Sequence, residues 1–396
     1  MDSKKMVAPM NRRRFLGIVG LGVGTLAFAG AGGLTWRAVD GGVFATGTGP
    51  AHAAWDQLGP SGQGSLGMVR AGVLAANAHN AQPWHFRVAT DRIDLFADTS
   101  RSLGTMDPLG REMHISLGCA LENLALAGPA NGKVPTVTLL PELADRTHIA
   151  RVDLVPTRPS ASALFAAIPN RHTNRAAYDM ARPVTQRQRD MFGDLIDVPE
   201  IELVWFTKAG DKRAFGDLTM RATEAIIADP RQAADDFAWY RTDWQEIQAR
   251  KDGITIDPSG ESLLIRDLAK VLPVSRKQNN DGWLSGTRGT QIPTAAAFGA
   301  LIVRDPLDPI QRLCVGRIWQ RMHLSAIAQG LGMQPMCQVL ERIDREQSAG
   351  LQTDCTTARA AMLPARRHAI MTFRIGYPTT DALRSPRRPA KEAIVT

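Results

Sequence analysis

A Pro- and Ser-rich joint at Pro156–Ser162 divides the chain into two stretches that carry secondary-structure signals in a similar order. Before the joint, the apolar spacing predicts helices over 65–82 and 110–127, a hairpin over 84–97, and strands over 134–140 and 149–154. After the joint, it predicts helices near 161–169, 184–196, 210–228 and 315–331, and strands over 201–206 and 369–376. This mixture of helices and short strands predicts an α+β fold, and the shared order permits two diverged half-domains in one chain.

The joint also sets the domain boundaries that we predict. The first half-domain covers 54–160 and the second covers 161–396. Within the second, residues 229–292 combine aromatic residues, charges and glycines with little periodicity. A stretch of this kind is typical of a functional excursion or lid.

The net charge of +8 is concentrated at the two ends of the chain. Residues 1–53 carry a net charge of +4 and residues 384–396 a net charge of +3, which leaves +1 for the body between them. A body so close to neutrality argues against a nucleic-acid-binding face.

The four cysteines are Cys119, Cys314, Cys337 and Cys355. They show no C-x-x-C spacing and no accompanying histidine cluster, so we predict no metal site. Buried free thiols are the favoured interpretation, and a disulfide formed after export is the alternative.

The N-terminus has the three parts of an export signal. Residues 12–16 read Arg-Arg-Arg-Phe-Leu, an uncharged run rich in glycine covers 17–35, and Ala51-His52-Ala53 is a small-x-small site. The arginine motif resembles the twin-arginine (Tat) signal, which implies that the Tat translocase exports the folded chain to the periplasm or another extracytoplasmic space. Cleavage would remove residues 1–53, whereas an uncleaved run would anchor the chain to the membrane.

Two segments carry most of the polar chemistry. Residues 77–84 read Asn-Ala-His-Asn-Ala-Gln-Pro-Trp, and amide side chains suit a ring with alternating carbonyl and N–H groups. Arg171-His172-Thr173-Asn174-Arg175 brings together two guanidinium groups and a hydroxyl, which suits a phosphate. The alternative for the first segment is a capped helix end with a buried tryptophan. The alternative for the second is a solvated basic turn.

Two further segments follow predicted elements. In Leu331–Met336, a glycine and a proline would let the backbone lie close to a flat ligand. Phe373–Pro378 ends in a Gly-x-Pro turn, and Arg387 and Arg388 follow it in the chain. By themselves, an ordinary helix C-cap and a solvated basic tail would explain both segments.

The order of these motifs resembles the FMN-binding nitroreductase family. The motifs are N-x-Q-P-W at 80–84, R-x-T-x-R at 171–175, L-G-x-x-P at 331–335 and I-G-x-P at 375–378. Residues 107–112 and 244–253 also look like the Acg-like subgroup, in which two nitroreductase-type halves share one chain. The resemblance covers residues 65–390 and implies a nitroreductase-like fold whose diverged halves form a pseudo-dimer.

The resemblance implies one FMN per chain, held between the two halves. By position, the phosphate would be bound by Arg171, Thr173, Arg175 and Arg388 or Arg387. The flavin and its ribityl chain would contact Asn77, Asn80 and Gln82, and the ring would be bordered by Gln334, Pro335 and Met336. No catalytic side chain is implied, because the flavin itself performs the redox chemistry.

The implied activity is the transfer of electrons from reduced FMN to a small acceptor such as a nitroaromatic or a quinone, by a monomeric chain. One alternative is a protein that sequesters FMN with little turnover, which the scarcity of NAD(P)H outside the cytoplasm favours. Another is a protein whose site has decayed and holds no cofactor.

Overall fold

The computed structural model describes residues 36–59, 62–352, 354–360, 362–364 and 366–396. The arginine motif at 12–16 and the apolar run at 17–35 of the predicted export signal lie outside these residues. Across the described part of the chain, no helix is long and apolar enough to cross a membrane.

Helices and strands are mixed along the whole described chain, which confirms the predicted α+β class. The α-helices are α1 (Gly64–Gly72), α2 (Arg111–Ala130), α3 (Ala163–Ala167), α4 (Gln186–Gly193), α5 (Ala209–Ala228), α6 (Pro230–Phe237), α7 (Trp244–Arg250), α8 (Leu263–Val271), α9 (Arg276–Gly286), α10 (Pro309–Ala328), α11 (Gln338–Ala349), α12 (Asp354–Ala360) and α13 (Ala390–Ala393). The strands are β1 (Trp84–Val88), β2 (Arg92–Ala97), β3 (Lys133–Leu139), β4 (His148–Pro156), β5 (Glu202–Phe206), β6 (Ala297–Val303), β7 (Gly332–Pro335), β8 (His368–Gly376) and β9 (Ile394–Val395). A π-helical turn, Thr287–Gln291, follows α9.

Within the described residues the strands form two sheets, one on each side of the Pro156–Ser162 joint. The first sheet is five-stranded, in the order β3-β4-β2-β1-β9, and the second is four-stranded, in the order β5-β6-β8-β7. Strand β9 comes from the C-terminal tail and pairs in parallel with β1, through Phe86 and Ile394. The tail that we assigned to the second half therefore completes the sheet of the first.

The long helices α2 and α10 join the two halves at a close crossing between Gly118 and Gly316. A Cβ atom at Gly118 would overlap the carbonyl oxygen of Leu313, and one at Gly316 would overlap that of Ile115. The absence of side chains at both positions lets the two backbones touch. The Sγ of Cys119 donates to the carbonyl oxygen of Gly316 at 3.2 Å beside this crossing.

Two sequence predictions of helix bounds are clearly wrong. Helix α1 ends at Gly72, and it could not continue to residue 82 because His79, Asn80 and Gln82 adopt positive φ angles of 48°, 54° and 54° that no α-helix permits. Helix α10 begins at Pro309, six residues earlier than predicted, with the Asp308 carboxylate accepting from the backbone of Ile310 at 2.8 Å. The excursion 229–292 contains the helices α6 to α9 despite its weak pattern.

All four cysteines are free thiols, as the favoured interpretation predicted. Burial raises the pKa of the Cys337 thiol to about 12, which keeps it in the neutral, unreactive form.

Candidate functional site

A cavity of about 650 Å³ is lined by both halves of the chain. The first half contributes residues around Asn77 and the start of α2, and the second half contributes residues around Arg171 and Gln334. Residues 236–291 of the excursion and the N-terminal segment through Gly41 and Trp55 complete the wall. A volume of this size is typical of a site for a small molecule or cofactor.

Two buried arginines give the cavity wall a positive charge that the protein does not neutralise. Arg171 and Arg387 are 2% and 4% exposed, and no carboxylate among the described residues forms an ion pair with either. Burial lowers the pKa of Arg171 to about 10, and burial together with the charge of Arg171 lowers the pKa of Arg387 well below its ordinary value. Because a buried cation without a counterion is costly, this arrangement favours binding of an anion.

Carbonyl groups hold both guanidinium groups in place. The Nη2 of Arg171 donates to the carbonyl oxygen of Leu74 at 3.1 Å, and the Nη2 of Arg387 donates to that of Ala75 at 3.2 Å. The Nε atoms of Arg171 and Arg387 have no hydrogen-bond partner within the described chain. Donors are therefore left for a ligand.

The amide segment that follows α1 forms a strained loop beside these arginines. The Oδ1 of Asn77 accepts from the backbone of Gln82 at 2.8 Å, and the Asn80 side chain accepts from Arg387 and donates to the carbonyl oxygen of Pro386 at 2.9 Å. Positive φ angles at three non-glycine residues in this loop cost about 1–3 kcal/mol each, and such strain concentrates at functional sites.

Most of the residues that the sequence marked out as candidates line the cavity. Those on its wall are Asn77, Asn80, Arg171, Thr173, Arg175, Gln334, Pro335 and Arg387. Their assignment to FMN stays a prediction.

Three other candidates, Gln82, Met336 and Arg388, do not line this cavity. Gln82 is completely buried, where its Nε2 donates to the carbonyl oxygen of Lys251 at 2.8 Å and its Oε1 accepts from the backbone of Arg388. The guanidinium group of Arg388 donates to the carbonyl oxygen of Gln82 at 2.6 Å. Gln82 and Arg388 thus connect the excursion and the C-terminal tail behind the cavity wall, and Arg387 is the tail arginine that faces the cavity.

Sequence reasoning missed the aromatic and acidic parts of the wall. The Trp55 ring lies 5.1 Å from the guanidinium carbon of Arg387 and meets the ring of His172 edge-on at 4.5 Å. Glu112 and Glu341 face the same cavity from the first turns of α2 and α11. The sequence held one signal for this part of the wall, because residues 107–112, which include Glu112, resemble the Acg-like subgroup.

Another polar pair on the wall is His79 with Asp236, whose Nε2 and Oδ1 atoms lie 2.9 Å apart. Burial alone would lower the pKa of His79, but the hydrogen bond and charge of Asp236 outweigh burial and raise it above the ordinary value. This pair joins the strained loop to helix α6 of the excursion.

The predicted cleavage site lies inside the fold. Ala51 is fully buried, its N–H donates to the Gln248 side chain at 3.0 Å, and its carbonyl oxygen accepts from the backbone of Arg387 at 2.7 Å. The indole N–H of Trp55 donates to the carbonyl oxygen of Ser385 at 2.8 Å. The segment around the site is therefore part of the cavity's structure.

The described residues thus define an α+β protein with a cavity whose wall holds two buried arginines without carboxylate partners, which favours a ligand with an anionic group. No protein-family model matches the chain. Two Mycobacterium tuberculosis proteins provisionally named NAD(P)H nitroreductase are similar to part of it. Rv3131 is 39% identical over 108 residues, 27% of this chain and 31% of the relative. The protein named acg is 32% identical over 88 residues, 22% of this chain and 27% of the relative.

The chain spans less than a third of the length of these curated relatives. Solved nitroreductase structures are also similar to it, at low TM-scores. Nitroreductase A of Vibrio parahaemolyticus has a TM-score of 0.33 and 11% identity, covering 59% of this chain and 74% of its own. NfnB of Mycobacterium smegmatis, an FMN-dependent nitroreductase solved with NADPH, has a TM-score of 0.34 and 16% identity, covering 58% of this chain and 96% of its own.

Proposed function

We propose that the chain is a nitroreductase-like oxidoreductase that binds one FMN in the cavity and passes electrons to a small acceptor such as a nitroaromatic or a quinone. The similarity to proteins named nitroreductase supports this class of activity. The carrying observation is the pair of buried arginines, Arg171 and Arg387, which face the cavity without a carboxylate partner within the described chain.

The residues present fit such a group. Arg171, Arg175 and Arg387 supply donors for the phosphate, and Thr173 lies on the same wall. The loop at 77–80 and the Gln334-Pro335 pair supply polar atoms and a flat backbone for the ring system. Bound FMN would supply the two-electron redox chemistry, while the chain positions it and limits the access of water.

The test is the flavin content of the full-length protein purified after cytoplasmic expression. We expect a yellow protein with flavin absorbance, and we expect Arg171→Ala with Arg175→Ala to release the cofactor. Each lost charged hydrogen bond costs about 1.5–3 kcal/mol, or about tenfold or more in affinity.

The matched control replaces two exposed arginines, Arg187→Ala with Arg213→Ala, which removes the same charge away from the cavity. This control should keep its flavin. A colourless wild-type protein would exclude the proposed function, and an unchanged flavin content in the cavity variant would exclude the assigned site.

The cover over the cavity favours a second candidate, the sequestration of FMN with little turnover. Helices α6 to α9 and the segment around Trp55 contribute much of the wall. Protein reduced with dithionite and mixed anaerobically with a quinone separates the two candidates. Rapid reoxidation supports an oxidoreductase, whereas a flavin that stays reduced supports sequestration.

We also propose that the chain acts as a monomer outside the cytoplasm after export by the Tat translocase. The arginine motif at 12–16 and the apolar run that follows it support this location. Replacing Arg12 and Arg13 with lysine should leave the protein in the cytoplasmic fraction. Size-exclusion chromatography with light scattering checks the monomeric state.

A further inference from the structure

Two glutamates on the cavity wall touch each other. Glu112 lies in the first turn of α2 and Glu341 in the first turn of α11, and each is 7% exposed. The Glu341 carboxyl group forms a hydrogen bond with that of Glu112. Two carboxylate groups are both acceptors, so this hydrogen bond requires one of them to carry a proton.

The charged side chains around the Glu112–Glu341 pair mostly bind other partners. The Nε of Arg111 donates to the Asp344 carboxylate at 2.7 Å, whereas its Nη2 lies 3.4 Å from Glu112. The Asp107 carboxylate accepts from the backbone N–H groups of Glu112 and Met113 at 3.0 Å and 2.9 Å. A single, shared guanidinium group cannot neutralise two further carboxylates, so the pair retains its proton.

Other titratable groups face the pair from neighbouring elements. His79, which bonds Asp236, lies near Glu112, and Asp236 also lies near Glu341. Cys337 and Tyr240 are close as well, and both are neutral because burial raises their pKa. Burial raises the pKa of Glu112, and burial with the charge of Glu112 raises that of Glu341 well above the ordinary value.

A second observation marks this wall as a ligand site. The Oε1 of Gln338 and the Oδ2 of Asp236 are buried on the cavity wall without a hydrogen-bond partner in the described chain. These side chains are 5% and 3% exposed. Buried acceptors without a partner mark a place where a hydrogen-bond donor of a ligand can bind.

We propose that Glu112 and Glu341 together hold one exchangeable proton at the cavity wall and donate it to the acceptor during reduction. The role rests on the proposed function. Conversion of a quinone to a hydroquinone adds two electrons and two protons. A hydride from the reduced cofactor supplies both electrons and one proton, and the carboxyl pair supplies the other. The pair is then reprotonated from solvent.

The first test detects the proton directly in the full-length protein. Infrared spectroscopy at neutral pH should show the C=O stretch of a protonated carboxyl group. Glu341→Gln and Glu112→Gln should each shift the band, because the remaining glutamate loses its carboxyl partner while burial still raises its pKa. An unchanged band in both variants would overturn the proposal. This readout requires neither flavin nor turnover, and the absence of the band from the wild-type protein would overturn the proposal.

The second test measures the anaerobic reoxidation of chemically reduced protein by a quinone. Loss of a positioned proton donor should slow the reaction in both variants by about 10²-fold or more, with unchanged flavin content. The wild-type rate should fall as the pH rises through the pKa of the pair, and this fall should move to a different pH in each variant, which keeps one buried glutamate. Wild-type rates in both variants would overturn the proposal.

The matched control is Glu346→Gln. Glu346 is also buried, but it lies outside the cavity, where its carboxylate accepts from the backbone of Cys355 and Thr356 at 3.2 Å. The Glu346→Gln variant should keep both the infrared band and the wild-type rate of reoxidation. A wild-type protein without flavin would reject the proposed function, while the infrared band would still decide whether the pair holds a proton.

Discussion

Burial decides what a single charged residue does in this molecule. Arg171 and Arg388 are both buried, and burial lowers the pKa of each to about 10. Yet Arg171 faces the cavity, whereas Arg388 donates to the carbonyl oxygens of Gln82 and Trp84. The same residue type therefore offers a ligand site in one place and a structural link in the other.

This difference predicts opposite effects of FMN on two matched variants. In buffer without anions, Arg171→Met should raise the free energy of unfolding by about 1 kcal/mol or more, because an uncompensated buried cation is removed. FMN should stabilise the wild type and Arg388→Met by mass action, and Arg171→Met clearly less. Urea denaturation with and without FMN measures these differences, and equal stabilisation of all three proteins would contradict the assignment of Arg171.

The His79–Asp236 pair predicts a pH dependence with a defined sign. Because the pKa of His79 is raised in the folded state, its contribution to stability is complete below 6.5 and is lost as the pH rises through the folded pKa. His79→Asn removes the titration and tolerates the positive φ. The stability difference between wild type and variant should shrink over that pH range in urea denaturation, and a constant difference would refute the charged pair.

Sequence spacing located residues on the cavity wall better than it located their partners. The Arg-x-Thr-x-Arg motif marked Arg171 because two guanidinium groups and a hydroxyl close together suit a phosphate. Nothing in the sequence distinguished Arg387 from Arg388, since the direction of a side chain in an irregular tail depends on tertiary contacts. The contact between Glu112 and Glu341 joins residues far apart in the chain, and no local pattern reports such a pairing.

At the scale of elements, periodic segments were predicted well and irregular ones were not. The strands at 84–97 and 369–376 and the helix over 110–127 follow clear apolar patterns, and the structure has β1, β2, β8 and α2 there. The end of α1 was misplaced because the amide side chains after it bond to the backbone and stabilise positive φ angles. The pairing of β9 with β1 depends on tertiary packing, and a two-residue strand has no periodicity to detect.

The crossing of α2 and α10 gives a prediction at this scale. Gly118→Ala should lower the free energy of unfolding by about 1–3 kcal/mol, because the new methyl group overlaps the backbone of Leu313 and forces the helices apart. Gly193→Ala is the control at the exposed end of α4, with no atom near its new Cβ, and should stabilise by up to about 1 kcal/mol. Thermal or urea unfolding measures both, and a stable Gly118→Ala protein would contradict the close crossing.

At the scale of the whole molecule, both ends of the described chain close the cavity. The C-terminal tail delivers Arg387 and then completes the first sheet with β9. The N-terminal segment binds this tail through Ala51 and Trp55, and Asp56 pairs with Arg384 at 2.8 Å. The N-terminal segment of the described chain and the C-terminal tail are thus joined in the folded protein by direct contacts.

These contacts predict how an exported chain is processed. A peptidase must bind its substrate in an extended, accessible form, but Ala51 is fully buried and His52 is 3% exposed. Removal of residues 1–53 would also take away Thr46, whose hydroxyl accepts from Lys270 at 2.6 Å, and the Ala51 contacts to the tail. We therefore expect the exported protein to keep residues 36–53, as intact-mass spectrometry will show. Ala53→Val, which blocks a cut after residue 53, should leave the N-terminus unchanged, whereas a mature chain that starts at Ala54 would refute this account.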